Sequence, residues 1–251
     1  MRSGIHLDLE WATRTGGNLS SREHRYLVGA ILRELPTALA GMLRYRLGKR
    51  GTGRIELGEV AVPDSTLARR AEEFVQQELS PYVLEHSYRT YYLGRVLAAG
   101  DGAEVDAETV YLASLLHDLH LDHPTPGRCF ALTAAERLPP LLVEWGADQR
   151  TATTVAAAVC GHVTPGADHN LSDPAGFVLA GSLADIIGRR LDEIDPAWLL
   201  ELHRRYPRDG LKSLMAAALR GQGKAVPHGR IQLVNRWAGL PLLVQTAPYR
   251  Q

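Results

Sequence analysis

Helix start signals recur along most of the chain and restrict it to a helical fold. Short polar residues that favour helix N-caps stand directly before apolar segments, several with proline in the first turn. These start signals are Asp64 or Ser65, Ser80-Pro81, Asp106, Asp148, Asp173-Pro174 and Asp195-Pro196. Alternation typical of half-buried strands does not recur, and no internal repeat is visible. The sequence therefore predicts an all-α fold.

Prolines inside helical segments predict two interruptions. Pro36 predicts a break between a helix at Ser20–Leu35 and a second helix that follows it. Thr133–Glu136 has the pattern of a capping box, and Pro139-Pro140 is predicted to disturb the helix that it starts.

The N-terminal quarter is less regular than the rest of the chain. Residues 1 to about 20 have no clear period, which predicts a loop or a loosely docked arm. Lys49–Ser65 is the one stretch with extended character, with a short strand expected at Arg54–Leu57. We therefore predict an N-terminal, partly helical extension at residues 1–62 and a main domain at 63–251.

Composition excludes several classes of protein. The 28 basic and 28 acidic side chains cancel, so no excess positive charge favours nucleic acid as a partner. Two cysteines, Cys129 and Cys160, fit a reducing compartment and give no thiolate zinc motif. The first residues have no apolar core of a signal peptide, and no uninterrupted apolar run has the length of a membrane span. These features predict a cytoplasmic protein without a membrane partner, and they leave homo-oligomerisation open.

Polar side chains interrupt four apolar helical segments. His86 lies in YVLEHSYRTYYLG, His117-Asp118 closes VYLASLLHD, His162 closes ATTVAAAVCGH, and Asp185 is the one charge in FVLAGSLADIIG. A buried imidazole or carboxylate is costly unless it is paired or bound to a metal. Ligation of zinc, manganese or iron by side chains from several helices would explain all four positions. The alternative is that each residue has its own partner, for example Asp118 as a helix cap and Asp185 paired with Arg189.

The ordered set of these residues resembles the HD-domain metalloprotein superfamily. The likeness is carried by HSYRTYYLG, by LLHDL about thirty residues later and by the aspartate in a late apolar helix. The segments VPDSTLARRAEEFVQQELSPYVLEHSYRTYYLG, GRCFALTAAE, LAGSLADIIGRR and YPRDGLK look closest to its cyanamide hydratase-like branch. The resemblance runs from about Pro63 to the C-terminus, and it implies an HD-domain helical bundle preceded by the extension.

The resemblance implies that His86, His117, Asp118 and Asp185 bind one divalent metal ion. Zinc is the first choice, and iron or manganese are alternatives. His162 matches a histidine that this branch carries between the two ligand motifs, and it is expected to be a proton carrier, a ligand or the partner of a substrate group. The chain has His120 where relatives often have glycine, and His123 and His169 add imidazoles in loops; all three are expected to be solvated or to lie around the ligands.

The implied activity is that of a hydratase or hydrolase that uses a metal-activated water on a small polar substrate. The substrate would be cyanamide-like, nitrile-like or an amide, with Asp118, His162 and Arg89 as the catalytic residues. Arg89 would bind a substrate anion; alternatively it pairs with Glu85 or Asp118, and Arg128 is a weaker candidate for the same role. A nucleotide or phosphate-ester phosphohydrolase, a di-iron oxygenase that recruits His162 and His169, and a non-catalytic metal-dependent module stay open.

Overall fold

The computed structural model of the 251-residue chain describes residues 5–55, 57 and 62–249. Within these ranges the chain forms twelve α-helices and two short 3₁₀ turns, without a strand. The helices are α1 (Leu9–Thr15), α2 (Ser21–Arg46), α3 (Thr66–Glu78), α4 (Pro81–Asp101), α5 (Ala107–Leu116), α6 (Phe130–Glu144), α7 (Gln149–Gly161), α8 (Pro174–Ile187), α9 (Pro196–Arg205), α10 (Leu211–Ala225), α11 (Arg230–Trp237) and α12 (Leu240–Gln245). The predicted all-α class is confirmed.

The predicted start signals lie at helix N-termini. The side chains of five residues accept hydrogen bonds from backbone N–H groups of the first helical turn: Ser65, Asp106, Asp148, Asp173 and Asp195. Ser80 also occupies an N-cap, before Pro81, but its side chain makes no capping bond and instead donates to Asp122. These caps satisfy backbone donors that would otherwise have no partner.

Both interruptions predicted from prolines are wrong. Helix α2 runs unbroken through Pro36, and α6 contains Pro139 and Pro140. The carbonyl groups that lose an N–H partner to Pro36 and Pro140 belong to Leu32 and Glu136, which are exposed, so water can reach them. Pro139 is half-buried, and the residue four positions before it, Ala135, is fully buried. The capping box at Thr133–Glu136 is also wrong, because α6 begins earlier, after Cys129.

The N-terminal arm is docked more firmly than its sequence indicates. Asp8 caps α1, and Trp11 and Ala12 are buried in the main hydrophobic core. A helix of seven residues is too short to show a clear hydrophobic period, which explains why the pattern missed it. The prediction of a loose arm is therefore wrong for residues 5–20.

The expected strand at Arg54–Leu57 is not formed by its described residues. Gly53 makes a single isolated bridge to Ile194, and its N–H donates to the carbonyl of Glu193 over 2.9 Å. Glu56 lies outside the described residues, so this finding concerns residues 54, 55 and 57. The proposed boundary at residue 62 falls in the same region and stays a prediction.

Helix α2 is long and apolar enough, by length and composition, to cross a membrane. Its inner face packs on the domain through Leu27 and Ile31, which are buried, while Leu32, Leu39 and Leu43 are exposed. Core helices and leader sequences pass the same test, so this feature is weak support for a membrane role. The prediction that the protein has no membrane partner stays untested.

Helices α4 and α8 cross at very short range in the centre of the core. A Cβ atom at Gly181 of α8 would lie 2.1 Å from the carbonyl oxygen of Thr90 on α4. A Cβ atom at Gly94 of α4 would lie 2.6 Å from the ring of Phe177 on α8. The crossing places His86, on α4, beside Asp185, on α8.

Gly181→Ala is expected to lower the free energy of unfolding by about 1–3 kcal/mol, because the added methyl group meets backbone that cannot move aside. Urea denaturation measures this loss. Gly100→Ala is the matched control, because nothing lies near a Cβ atom at that exposed position of α4. The control should be neutral or up to about 1 kcal/mol more stable than wild type; equal stability of the two variants would contradict the tight crossing.

Candidate metal centre

Four helices deliver the polar residues that the sequence analysis selected. His86 lies inside α4 and Asp185 near the end of α8, while His117 and His162 stand at the C-caps of α5 and α7. Asp118 directly follows His117. All five side chains are buried. The arrangement therefore places charged and titratable groups where bulk water solvates them little.

Three of these side chains converge on one region. Nε2 of His86 lies 3.3 Å from Nε2 of His117. Oδ2 of Asp118 lies 3.3 Å from Nε2 of His117 and 3.7 Å from Nε2 of His86. One ligand atom from each of the three residues lies within 4.8 Å of the others. His162 joins the edge of the cluster, with its Nε2 3.6 Å from Oδ1 of Asp118.

Acceptor groups behind the rings fix the tautomers of the imidazoles. Nδ1 of His117 lies 2.8 Å from the carbonyl oxygen of Ser114, and Nδ1 of His162 lies 2.6 Å from that of Val159. A carbonyl oxygen can only accept, so each Nδ1 must carry the proton. Nδ1 of His86 lies 2.7 Å from a carboxylate oxygen of Asp185 and is fixed in the same way. Each ring, when neutral, therefore presents an unprotonated Nε2 to the cluster.

This donor set suits a divalent cation. Lone pairs on nitrogen atoms and a carboxylate face one another at short range, which is unfavourable without a proton or a cation between them. Neutral imidazole and carboxylate are ordinary ligands of zinc, iron and manganese, and a histidine ligand usually donates its other N–H to a carbonyl or carboxylate. His86, His117 and Asp118 could therefore hold a metal ion.

Asp185 lies behind His86 instead of facing the other ligands. Its carboxylate contacts Nδ1 of His86, while the ligand cluster forms at Nε2 on the other side of the ring. The same carboxylate accepts from Arg89 Nε over 2.9 Å and from Arg89 Nη2 over 3.0 Å, and it pairs with Arg208. Direct metal ligation by Asp185 stays a prediction, and the present side-chain positions do not supply it.

Arg89 is part of this ion pair and does not line the cavity beside the ligand cluster. It is fully buried, and its Nη1 donates to the carbonyl oxygens of Tyr206 and Pro207. The expected contact of Arg89 with a substrate anion is therefore not available in this arrangement. The alternative partners considered from sequence, Glu85 and Asp118, are also not the ones that it binds.

The charges of the cluster shift the pKa values of its members in opposite directions. Burial alone would raise the pKa of Asp118, but the imidazoles of His117, His162 and His86 hold it well below the usual range. Burial would lower the pKa of His117, but Asp118 raises it. Burial lowers the pKa of His86 and of His162 despite their carboxylate partners. Asp118 is thus ionised at neutral pH, and His86 and His162 are neutral.

The pKa of Asp185 is also held far below its usual range. Burial would raise it, but Arg208, Arg89 and His86 favour the carboxylate. Arg208 was not selected from the sequence, although it lies in the YPRDGLK segment. The alternative partner for Asp185, Arg189, instead forms ion pairs with Glu34 and Asp168.

The remaining imidazoles and Arg128 lie outside the cluster. His120 is half-buried and His123 is exposed. His169 is exposed and its Nε2 lies 2.8 Å from Glu34. Arg128 pairs with Glu136. Among the described residues, His169 is not part of a group of three or more potential metal ligands.

A cavity of about 130 Å³ adjoins the cluster. Asp118 and His162 line it, and so does Ser182, whose hydroxyl oxygen lies 3.3 Å from Nε2 of His86. Ser182 was not selected from the sequence, because a serine in an apolar helix gives no distinctive signal. The candidate metal centre thus opens onto a space large enough for a ligand.

Loss of a residue that hydrogen-bonds a metal ligand weakens metal binding by about 10–100-fold. Asp118→Ala removes a ligand itself, so it is expected to weaken divalent metal binding by more than this. The helices should stay formed. Calorimetric titration of the metal-free protein with Zn²⁺, with circular dichroism alongside, measures both effects. Asp122→Ala is the control, since that exposed carboxylate contacts Ser80 and Tyr82 instead of the cluster. Unchanged zinc affinity in Asp118→Ala would contradict the proposed centre.

Asp185→Ala is expected to lower the free energy of unfolding by about 3–5 kcal/mol, because Arg89 and Arg208 would be left buried without a counterion. Urea denaturation in the presence of a chelator isolates this effect from metal binding. The triple variant Asp185→Leu, Arg89→Met, Arg208→Met should recover part of the loss, since no unpaired charge remains. A cost of less than about 1 kcal/mol for Asp185→Ala, the range of an exposed ion pair, would show that the network does not need this carboxylate.

Comparison with known proteins agrees with the geometry. The sequence model of the HD domain matches residues 83–167, a span that contains His86, His117, Asp118 and His162 and ends before Asp185. No curated protein matches the chain. HD domains are generally metal-dependent hydrolases that bind divalent ions, and nothing in the match singles out the cyanamide hydratase-like branch. The match, and the cluster that His86, His117 and Asp118 form within it, support an HD domain at residues 83–167.

Proposed function

We propose that the protein is a metal-dependent hydrolase or hydratase that acts on a small-molecule substrate. The observation that carries the proposal is the convergence of fixed-tautomer imidazoles and a carboxylate beside a cavity. His86, His117 and Asp118 would hold one divalent ion, with zinc as the first choice and iron or manganese as alternatives. Asp185 would orient His86 through the bond to Nδ1 and is the candidate for a further ligand.

A divalent ion in such a site polarises the substrate and lowers the pKa of a water molecule toward neutrality. Asp118 has one oxygen toward His86 and His117 and the other toward His162, so it can receive a hydrogen bond from the attacking water. Ser182 can donate a hydrogen bond into the cavity from the opposite helix, α8. These groups would orient the water against the reacting carbon of the substrate.

His162 is positioned to carry a proton. Its Nδ1–H is held by the carbonyl of Val159, so Nε2 is the atom that can accept a proton and return it to the product or leaving group. Burial lowers its pKa, which keeps the ring neutral and ready to accept at pH 7. The ring lines the cavity and packs edge-on against His117.

The cavity favours hydration or hydrolysis at carbon over phosphate-ester hydrolysis. Among the described residues that line it, Arg189 is the single Arg or Lys side chain, and it is already paired with Glu34 and Asp168. Asp118 adds a further negative charge. The divalent ion would offset part of a nucleotide's charge, but the described lining supplies no unpaired Arg or Lys for the other phosphate groups, which would face Glu34 and Asp168. A nitrile-like, cyanamide-like or amide group avoids this repulsion.

Two other candidate functions receive less support. A di-iron oxygenase would need more imidazoles at a second metal, and His169 contacts Glu34 instead. A purely structural metal site would be closed, whereas Asp118 and His162 line a cavity. The cytoplasmic location, the absence of nucleic acid and membrane partners, and homo-oligomerisation stay predictions.

His162→Gln is expected to keep its metal and to lose about 10²–10⁴-fold in turnover, because it removes the group that transfers the proton. A screen of nitriles, cyanamides, amides and phosphate esters with zinc-, iron- and manganese-loaded protein identifies the reaction for this measurement. The pH–rate profile of the variant should lack one limb. His169→Gln, at an exposed position in the following loop, is the control and should keep its turnover. A His162→Gln protein that purifies without metal would make His162 a ligand.

A further inference from the structure

We propose that the substrate carries an apolar body, about the size of a benzene ring, attached to its polar reacting group. Small molecules that lack such a body, cyanamide among them, would then be poor ligands. This inference rests on the proposed function in one respect, namely that the reaction takes place at the cluster beside the cavity.

The lining of the cavity is almost entirely hydrocarbon. Apolar side chains come from α2, α6, α8, α10, α11 and α12, among them Leu35, Phe130, Leu183, Met215, Val234 and Leu243. The polar groups that the cavity contains are few: Asp118, His162 and Ser182 at the candidate metal centre, and the Glu34–Arg189–Asp168 ion pairs. Such a lining is unfavourable for a polar molecule, because the molecule would lose hydrogen bonds to water that the apolar side chains cannot replace.

The volume of the cavity sets the size of the apolar body. At about 130 Å³, the cavity is close to an engineered apolar cavity of about 150 Å³ that stays dry and binds benzene. A group of two or three heavy atoms, such as a nitrile or the N–C≡N core of cyanamide, would leave most of this space empty. A ring or a chain of about six carbon atoms would fill it while its polar end meets Asp118 and His162.

Helix α2 supplies one wall of this cavity. Ile31, Leu35 and Ala38 line it from the N-terminal side, although the HD-domain match begins only at residue 83. Helices α8 and α10–α12 also lie outside the match, so most of the apolar wall comes from segments beyond the matched residues. A role in substrate selection would explain why the chain places a long helix against this face.

Binding of a homologous series of amides tests the inference independently of turnover. Acetamide, butyramide, hexanamide and benzamide would be titrated into the zinc-loaded wild-type protein by calorimetry. Affinity should rise by about fourfold for each added methylene up to hexanamide, the gain expected for burying one CH₂ group. Cyanamide and acetamide should bind weakest of the series.

Variants on α2 locate the binding to the cavity. Ala38→Phe adds bulk to the lining and should weaken hexanamide binding by more than tenfold, while Ala40→Phe, exposed on the same helix and outside the lining, should leave it unchanged. Leu35→Ala enlarges the space and should shift the best ligand toward octanamide. Leu32→Ala, at an exposed position, is its control. The enlarging variant keeps the test decisive if Ala38→Phe does not fold.

The outcomes separate this inference from the proposed function. Binding that depends on chain length, and that the α2 variants abolish or shift, would support the apolar body of the substrate. This holds even if no amide, nitrile or ester is turned over, because a lack of turnover would count against the proposed reaction alone. Turnover of cyanamide or acetamide without any gain from a longer chain would overturn the inference and leave the reaction standing. Equal effects of Ala38→Phe and Ala40→Phe would also overturn it, because the binding would then lie outside the cavity.

Discussion

The close crossing of α4 and α8 determines where every other part of the site can lie. Gly94 and Gly181 remove the side chains that would hold the two helices apart, so His86 and Asp185 meet at hydrogen-bond distance. That bond orients the imidazole, and its Nε2 then defines the point toward which α5 delivers His117. A crossing wider by the thickness of a methyl group would separate the carboxylate from the ring that it orients.

Pairing of opposite buried charges stabilises this group of side chains in a low-dielectric interior. Asp185 is ionised because Arg89 and Arg208 surround it, and together the three residues form a fixed positive environment behind His86. Asp118, on the other side of the ring, supplies a negative charge that attracts a cation. Positive charge therefore lies on the Nδ1 side of His86 and negative charge on its Nε2 side. This difference distinguishes Asp185 from Asp118, although the sequence analysis predicted both as metal ligands.

The sequence predicted the helices and the site residues that depend on local chemistry. N-caps such as Asp106 and Asp173 act within one turn, so their residue types are sufficient. Tertiary geometry could not be predicted from local residue types in the same way. The solvent exposure of Pro36 inside α2 depends on elements distant in sequence, and so does the ion pair of Arg89 with Asp185. Nothing local separates a carboxylate that faces a metal from one that stands behind a histidine, which is why Asp185 could not be assigned from its spacing.

Helix α2 has one consequence beyond the shape of the cavity. Its inner residues form a wall of the cavity, while much of its outer surface, including Leu39 and Leu43, is exposed, so the helix is held by fewer contacts than the core helices. Any molecule that occupies the cavity contacts this wall and therefore binds the docked helix in preference to the detached one. By linkage, occupancy raises the free energy of lifting α2 away from the domain. Slowed hydrogen exchange of the α2 amides would then report that the cavity is filled, whatever chemistry follows.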